Sequence, residues 1–253
     1  MNYSVKQLAS LMVVLLVMVT LGSSVIGFRL LQDYYDTEET RLEAQARQRL
    51  QLAAGTVANQ IQFYEGIVDL LAGKNNANDL LAFSDDAEIE QWALQIRSVL
   101  PGALGLALAR PDGEVIGDPL IQRIGEVCQQ DLGHFSEHLD ISYPPIHNSI
   151  SGLEHFDLFA HVKSATGENN GVLLVSFHTD NLHRIMQQVL APGDKLILIT
   201  GNGRVIARAG SNNYEEAELF EQPVLNTPWI MQLHTTPISS PNFFRHMILL
   251  NLV

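Results

Sequence analysis

The sequence is poor in cysteine and in positive charge. Its single cysteine, Cys128, cannot form a disulfide within the chain, so cysteine usage does not indicate a redox compartment. Lys and Arg number 15 against 28 Asp and Glu, which gives a formal net charge of -13. Because affinity for nucleic acid comes mostly from Lys and Arg, this balance argues against a nucleic-acid partner.

Charge is absent altogether from a long stretch near the N-terminus. Between Gln7 and Phe28 there is no charged residue, and Leu, Val and Met dominate. A stretch of ~20 apolar residues spans a bilayer as one helix, so residues 1–28 are predicted to be a cytoplasmic N-terminus and a transmembrane helix. A signal-peptide core is shorter, which favours a retained anchor. Cleavage near Val25-Ile26-Gly27 is the alternative.

Helix-breaking residues are missing for a long way after Phe28. The next glycine is Gly55 and the first proline is Pro101, so residues 29–75 are predicted to continue the helix as a stalk, with a stop and loop from Gly73 to Asn76. Apolar side chains recur there at helical spacing: Leu42, Ala46, Leu50, Ala53, Val57, Ile61, Tyr64, Val68 and Leu71. Such a stripe is buried by its own domain, by the same helix of a second copy, or by both. We expect a homodimer contact near the membrane and a domain contact further along. A helix packed within one monomer is the alternative.

Residues 76–242 show strand patterns with a few helices between them. Ser84 or Asp85 is expected to cap a second helix, and Asp180 a later one that ends at Val189. Strand, polar-Gly turn and strand occur around Asp112-Gly113 and again ninety positions later around Asn202-Gly203. Further strands are predicted at residues 155–163, 171–177 and 229–235, and residues 119–154 are expected to form a helix and loop over one face of the sheet. The sum is an α+β fold with one antiparallel sheet of about six or seven strands.

Three segments resemble a known family. They are Leu-Ala-Arg-Pro-Asp-Gly-Glu-Val-Ile-Gly, the later Asn-Asn-Gly-Val-Leu-Leu-Val-Ser-Phe, and Leu-Ile-Leu-Ile-Thr-Gly-Asn-Gly-Arg-Val-Ile-Ala. With the long membrane-emergent helix, residues 30–240 resemble the extracytoplasmic Cache sensor domains, whose sheet is PAS-like. The sequence is most similar to the input regions of membrane-bound diguanylate cyclases. It lacks the Tyr, Arg-Trp-Tyr and Asp pattern with which amino-acid-binding double Cache domains hold their ligands.

No catalytic motif is present. The chain has no Gly-Gly-(Asp/Glu)-Glu-Phe loop, no phosphate-binding glycine loop with Lys, and no Gly-x-Ser-x-Gly elbow, so no enzyme activity and no cofactor are expected within these residues. His134 and His138 have the i, i+4 spacing of metal ligands, but they lack the His-Glu-x-x-His arrangement. We therefore predict no metal site. A membrane-anchored enzyme stays the alternative that a bound zinc would support.

A small-molecule site is expected where the segment over the sheet meets the strands. Pockets in sensors of this kind are concave and mostly apolar with a few polar groups. The candidate ligand-binding residues are Tyr143, His147, His155 and Asp157. Arg184, Arg204 and Arg208 are the alternatives for an anionic ligand.

The resemblance implies the input region of a bacterial receptor in the inner membrane, with residues 29–242 on the extracytoplasmic side. Residues 243–253 are apolar but too few to span a bilayer, so they are interpreted as the start of a truncated second transmembrane helix. We expect a fragment of a diguanylate cyclase protein that signals by a helix shift. The alternatives are the input region of a chemoreceptor or histidine kinase, and a singly anchored binding or assembly protein.

Overall fold

A computed structural model describes residues 5–73, 75–120, 154–164, 166–211 and 217–235. The helices are α1 (Val5–Gly73), α2 (Asn75–Phe83), α3 (Asp86–Val99) and α4 (Asp180–Val189). The strands are β1 (Ala103–Ala109), β2 (Val115–Gly117), β3 (His155–Lys163), β4 (Asn169–His178), β5 (Lys195–Thr200), β6 (Val205–Gly210), β7 (Glu218–Pro223) and β8 (Trp229–Thr235).

Helix α1 runs without a break through the apolar stretch and the stalk. Its apolar stripe is buried by the protein's own strands and helices from Ala46 to Val68, where the stripe residues are at most 2% exposed, and Leu71 at its end is partly buried. The expected domain contact is therefore present. Leu42 was assigned to the same stripe but is 37% exposed, because the domain begins to cover the helix only at Ala46.

The connection between α1 and α3 is helical, where a loop was predicted. Helix α2 is a short element rich in Asn, a residue with low helix propensity, and it is held by burial of Ala77 against the core. Helix α3 begins as expected. The Asp85 carboxylate caps it by accepting a hydrogen bond from the Glu88 backbone N–H at 2.9 Å.

The strands form two four-stranded antiparallel sheets, where one sheet of six or seven strands was expected. The first sheet has the order β2-β1-β4-β3 and the second has the order β6-β5-β8-β7, which is the same arrangement used twice. Strand β7 was not predicted. It is an edge strand that ends in Pro223, and Phe220 is its one buried side chain, so its sequence carries little strand pattern.

The two polar-Gly hairpins are equivalent in detail. In the first, the Gly113 N–H donates to the Arg110 carbonyl at 2.9 Å, and in the second the Gly203 N–H donates to the Thr200 carbonyl at 2.8 Å. Both glycines have left-handed backbone angles, with φ of 87° and 82°. The ninety-residue spacing in the sequence thus corresponds to a structural repeat.

An aromatic cluster of Tyr64, Phe156, Phe177 and Trp229 joins α1 to both sheets. The Tyr64 ring stacks on Phe177 with centroids 4.1 Å apart, and Phe156 meets Trp229 edge-on at 5.6 Å. Phe156 belongs to β3 and Trp229 to β8, so the two sheets touch at this cluster. Aromatic pairs at such distances add stability beyond their buried area.

Helix α4 connects the first sheet to the second and also holds α1. Its Asn181 side chain donates a hydrogen bond to the Tyr64 hydroxyl at 2.6 Å. Burial raises the pKa of Tyr64, and this hydrogen bond acts in the opposite direction. Asp180, expected as the cap, is the first helical residue, and the N-cap position belongs to Thr179.

Candidate functional site

The alternation of β3 separates two sets of side chains. Phe156, Leu158, Ala160 and Val162 belong to the main core with α1. Successive strand residues point to opposite faces of a sheet, so the residues between them lie on the other side. We call that side, turned away from α1, the outer face of the first sheet. His155 and Asp157, the two candidate site residues in the described chain, both lie on it.

Asp157 forms a buried polar group with its neighbours on the outer face. The Ser176 hydroxyl, directly across from Asp157 on β4, donates to Asp157 Oδ1 at 2.5 Å. His155 Nε2 lies 3.9 Å from the same oxygen. All three residues are at most 1% exposed. Removing a carboxylate from water is costly, so an acidic group at this depth marks a specialised position.

His161 continues the same row and was missed in the sequence analysis. Within the described chain, neither of its ring nitrogens has a hydrogen-bond partner, and both are shielded from solvent. An unsatisfied buried polar group costs about 1–3 kcal/mol, which makes His161 a candidate for contact with a bound molecule. The period-two spacing from His155 and Asp157 places His161 on the outer face, and that spacing could have identified it.

The rest of the outer face is apolar. Four buried side chains form a small hydrophobic cluster separate from the main core, and Val115 and Phe159 pack against it: Ala107, Ala109, Val172 and Leu174. Polar groups at the β3 edge beside this apolar floor match the composition of small-molecule sites.

The other candidates do not join this group. Tyr143 and His147 lie outside the described residues, as do Cys128, His134 and His138. The described part of the chain contains no group of three or more His, Cys, Asp or Glu suited to a metal ion. Arg184, Arg204 and Arg208 are exposed on α4, on the β5–β6 turn and on β6, away from the outer face.

A groove of about 510 Å³ lies between α4 and β6, apart from the outer face. It contains Arg208 together with acidic side chains, and its lining is Glu154, Thr179, Asp180, His183 and residues 205–208. The His183 Nδ1–H donates to the Arg208 carbonyl at 2.5 Å, so the histidine fastens α4 to this strand. The mixture of charges gives the groove no preference for an anion.

Two ion pairs fix the helices to the sheets. Arg97 of α3 lies 2.5 Å from Asp118, the residue that follows β2, and Arg49 of α1 lies 3.0 Å from Asp194, the residue that precedes β5. Both carboxylates are almost fully buried. Removing the Arg partner of a buried carboxylate strongly destabilises the folded protein, because the charge is left unpaired. These pairs therefore hold α3 and α1 in place.

The sequence matches no protein-family model and no curated protein sequence. The fold does match solved structures. The extracellular domain of rpHK1S-Z16, a protein described as a histidine kinase, is 14% identical, has a TM-score of 0.56, and aligns over 79% of this chain and 96% of its own. This chain and that extracellular domain share one fold. This confirms the Cache-like α+β architecture.

Two further sensor domains show the same architecture. The Vibrio cholerae histidine kinase DctB sensor domain is 11% identical with a TM-score of 0.54, over 81% of this chain and 99% of its own. The sensory domain of the Campylobacter jejuni chemoreceptor Tlp3, solved with isoleucine bound, is 14% identical with a TM-score of 0.52, over 79% and 94%. In the described chain, α1 is also long and apolar enough to cross a membrane.

Proposed function

We propose that this chain is the ligand-sensing input region of a bacterial membrane receptor. The observation that carries the proposal is the row of His155, Asp157 and His161 on the outer face of a Cache-like sheet, in which the first two residues are buried and the ring nitrogens of His161 are shielded from solvent. Sensor domains of histidine kinases and chemoreceptors have this fold. On this proposal, α1 anchors the chain in the inner membrane and residues 29–242 lie on the extracytoplasmic side.

The proposed ligand is a small molecule with an apolar body and at least one hydrogen-bonding group. The apolar floor of the outer face fits the body, and the Asp157 and His161 side chains fit polar groups at the β3 edge. About 13 Å of extended strand separates Asp157 from His161. A compact ligand lying over Phe159 reaches both.

The proposed signal passes through β3 to α1. His155 and Asp157 lie on the ligand side, and Phe156 between them lies in the aromatic cluster with Tyr64 of α1 and Trp229 of the second sheet. A ligand that favours one position of β3 therefore favours one packing of Phe156 against α1. A small shift of one continuous helix then reaches the membrane.

The output module is a separate part of the proposal. A diguanylate cyclase is the first candidate because of the sequence resemblance, and the histidine kinases and chemoreceptors among the structural neighbours support the two alternatives equally. A singly anchored binding or assembly protein is a further alternative. The DNA downstream of the Val253 codon distinguishes them: a Gly-Gly-(Asp/Glu)-Glu-Phe module supports the first, a kinase or chemotaxis module supports the alternatives, and a stop codon supports the last. We propose no catalytic activity within these residues themselves.

Ligand binding tests the site. A panel of amino acids, amines and carboxylic acids is screened by the thermal shift of the full chain in detergent, and each hit is titrated by calorimetry. We expect Asp157→Asn and His161→Gln each to weaken binding of the hit by tenfold or more, since one lost hydrogen bond to a charged group is worth about 1.5–3 kcal/mol. Lys163→Gln is the control, because Lys163 is exposed on the same strand. Unchanged affinity in both site variants would place the ligand elsewhere.

A further inference from the structure

The dipeptide Asn-Gly occurs twice in this chain, as Asn170-Gly171 and as Asn202-Gly203. This dipeptide is chemically labile, because glycine has no side chain to hinder its backbone nitrogen from attacking the side-chain amide of the preceding asparagine. The attack also requires that the backbone around the two residues can move. The two copies lie in different surroundings, so the structure predicts different reactivities for them.

Asn202-Gly203 lies at the tip of the β5–β6 hairpin. Both residues are exposed, and a Cβ added at Gly203 would meet nothing within 4 Å. The Gly203 N–H donates to the Thr200 carbonyl at 2.8 Å, and this bond must open before the nitrogen attacks. Hydrogen bonds at an exposed turn open locally, without unfolding of the sheet. The Gly203 nitrogen is therefore accessible while the protein stays folded.

A hydroxyl group contacts the amide of Asn202. The Thr200 hydroxyl donates to Asn202 Oδ1, with the Arg204 carbonyl as a more distant acceptor at 3.2 Å. A donor on the amide oxygen draws electrons away from Cγ, the atom that is attacked, and stabilises the negative charge that develops on the oxygen. The hairpin tip thus combines an activated amide with a nitrogen that local opening exposes.

Asn170-Gly171 lies inside β4, where hydrogen bonds hold both residues. The Asn170 Nδ2–H donates to Asn78 Oδ1 of α2 at 2.7 Å, and the Gly171 N–H donates to Asn169 Oδ1 at 3.3 Å. Gly171 is buried and pairs with Val162 of β3. Ring closure here requires β4 to separate from its neighbours, which costs much of the free energy of unfolding. The fold therefore protects this copy.

We propose that Asn202 is a site of spontaneous deamidation in the folded protein. The Gly203 nitrogen gives up its proton to hydroxide and forms a bond to Asn202 Cγ. The bond from Cγ to Nδ2 breaks, and the leaving nitrogen takes a proton from water and departs as ammonia. Water then opens the five-membered ring at either of its carbonyl carbons, so the products are aspartate and isoaspartate. One water is consumed for each ammonia released, and no atom is oxidised or reduced.

The first hairpin indicates that the turn accepts the aspartate product. It carries Asp112 at the position equivalent to Asn202, where Asp112 Oδ1 accepts a hydrogen bond from the Glu114 backbone N–H at 3.1 Å. The glycine that follows has the same left-handed backbone in both hairpins. The isoaspartate product differs, because it adds a methylene group to the main chain and lengthens the turn. Either product adds one negative charge to the second sheet.

Peptide mapping of the full chain in detergent tests the proposal. Folded protein, and protein unfolded in denaturant, are incubated in the same mildly alkaline buffer, and tryptic peptides are followed by mass spectrometry. Trypsin cleaves after Arg184 and Lys195, so Asn170 and Asn202 lie in separate peptides. We expect Asn202 to convert at least several times faster than Asn170 in the folded chain. In the unfolded chain the two rates are expected to be similar, because both dipeptides are then free.

The control variant is Asn202→Gln. Its longer side chain would have to close a six-membered ring, which forms far more slowly, so the peptide is expected to keep its mass. Equal conversion of Asn170 and Asn202 in the folded chain, or an equal mass gain in the variant, would overturn the proposal. Aspartate without isoaspartate, two isomers that chromatography separates, would also overturn it, because direct attack of water gives only aspartate. Asn202 lies on the second sheet, so neither result bears on the proposed ligand site.

Discussion

At the scale of single residues, Gly102 determines how closely three elements meet. It lies just before β1 with a left-handed φ of 79°, and an added Cβ would be 2.3 Å from Asn181 Nδ2 and 3.0 Å from the Tyr64 hydroxyl. Those two atoms are the hydrogen bond between α4 and α1. A glycine is therefore needed at this position both for its backbone angle and for the space that it leaves.

Replacing Gly102 by alanine is expected to lower the free energy of unfolding by about 2 kcal/mol or more, from left-handed strain of about 1–2 kcal/mol plus the clash. Gly203→Ala is the matched control. Its φ is also positive, but a Cβ there meets nothing within 4 Å, so only the strain applies. Thermal or denaturant unfolding compares the two. Equal losses would show that the contact with Asn181 adjusts without cost.

His234 on β8 predicts a pH dependence of stability. Burial lowers the pKa of His234 below its ordinary value of 6.5, and the positive charge of Lys195 lowers it further. The unfolded chain therefore takes up a proton at a pH where the folded chain does not. As a result, the free energy of unfolding falls as the pH drops below about 6.5.

His234→Gln removes this difference. We expect the fall in melting temperature between pH 8 and pH 5.5 to be smaller in the variant than in wild type. The measurement is thermal unfolding at a series of pH values and constant ionic strength. An identical pH profile in the two proteins would assign the acid sensitivity to other groups.

At the scale of elements, the two faces of β3 affect different properties: one face packs in the core against α1, and the other lies at the proposed ligand site. Phe156→Leu keeps an apolar side chain in the core but shortens its reach towards Tyr64 and Trp229. We expect a stability loss of roughly 1–3 kcal/mol, nearly unchanged ligand affinity and a reduced signal. Phe159→Leu, on the outer face of the same strand, is expected to change ligand affinity instead. Calorimetry gives the affinity, and a hybrid receptor with a known kinase output gives the signal. A normal signal in Phe156→Leu would exclude this route to α1.

The elements that could be predicted from sequence were those with strong local patterns. The α1 stripe and the Asp85 cap depend on neighbouring residues alone, and both are present in the structure. Helix α2 and strand β7 were missed because their stability comes from tertiary packing rather than propensity. For the proposed site, the sequence pointed to His155 and Asp157 as candidates, and both lie on the outer face of the first sheet. Their partner Ser176 was not identified, since cross-strand register is information that a single strand does not contain.

At the scale of the whole molecule, one arrangement occurs twice with different connections. The first sheet joins β2 to β3 through residues 118–154, and the second joins β6 to β7 through residues 211–217. Only distant contacts distinguish two such sheets from one larger sheet, so the local strand patterns predicted a single sheet. The buried group of Asp157, Ser176 and His155 belongs to the first sheet. In the second, Glu221 accepts a hydrogen bond from Gln232 at 2.6 Å on an exposed surface.

The unbroken course of α1 has a consequence for how such chains change in length. Each residue added between the membrane and Ala46 would turn the sensor by about 100° and raise it by about 1.5 Å. One extra residue would therefore put the domain out of phase with the apolar segment. Seven would restore the phase to within about 20°. Insertions and deletions in this stretch are thus expected to accumulate during evolution in steps of about two helical turns, while the loops of the sheets vary freely.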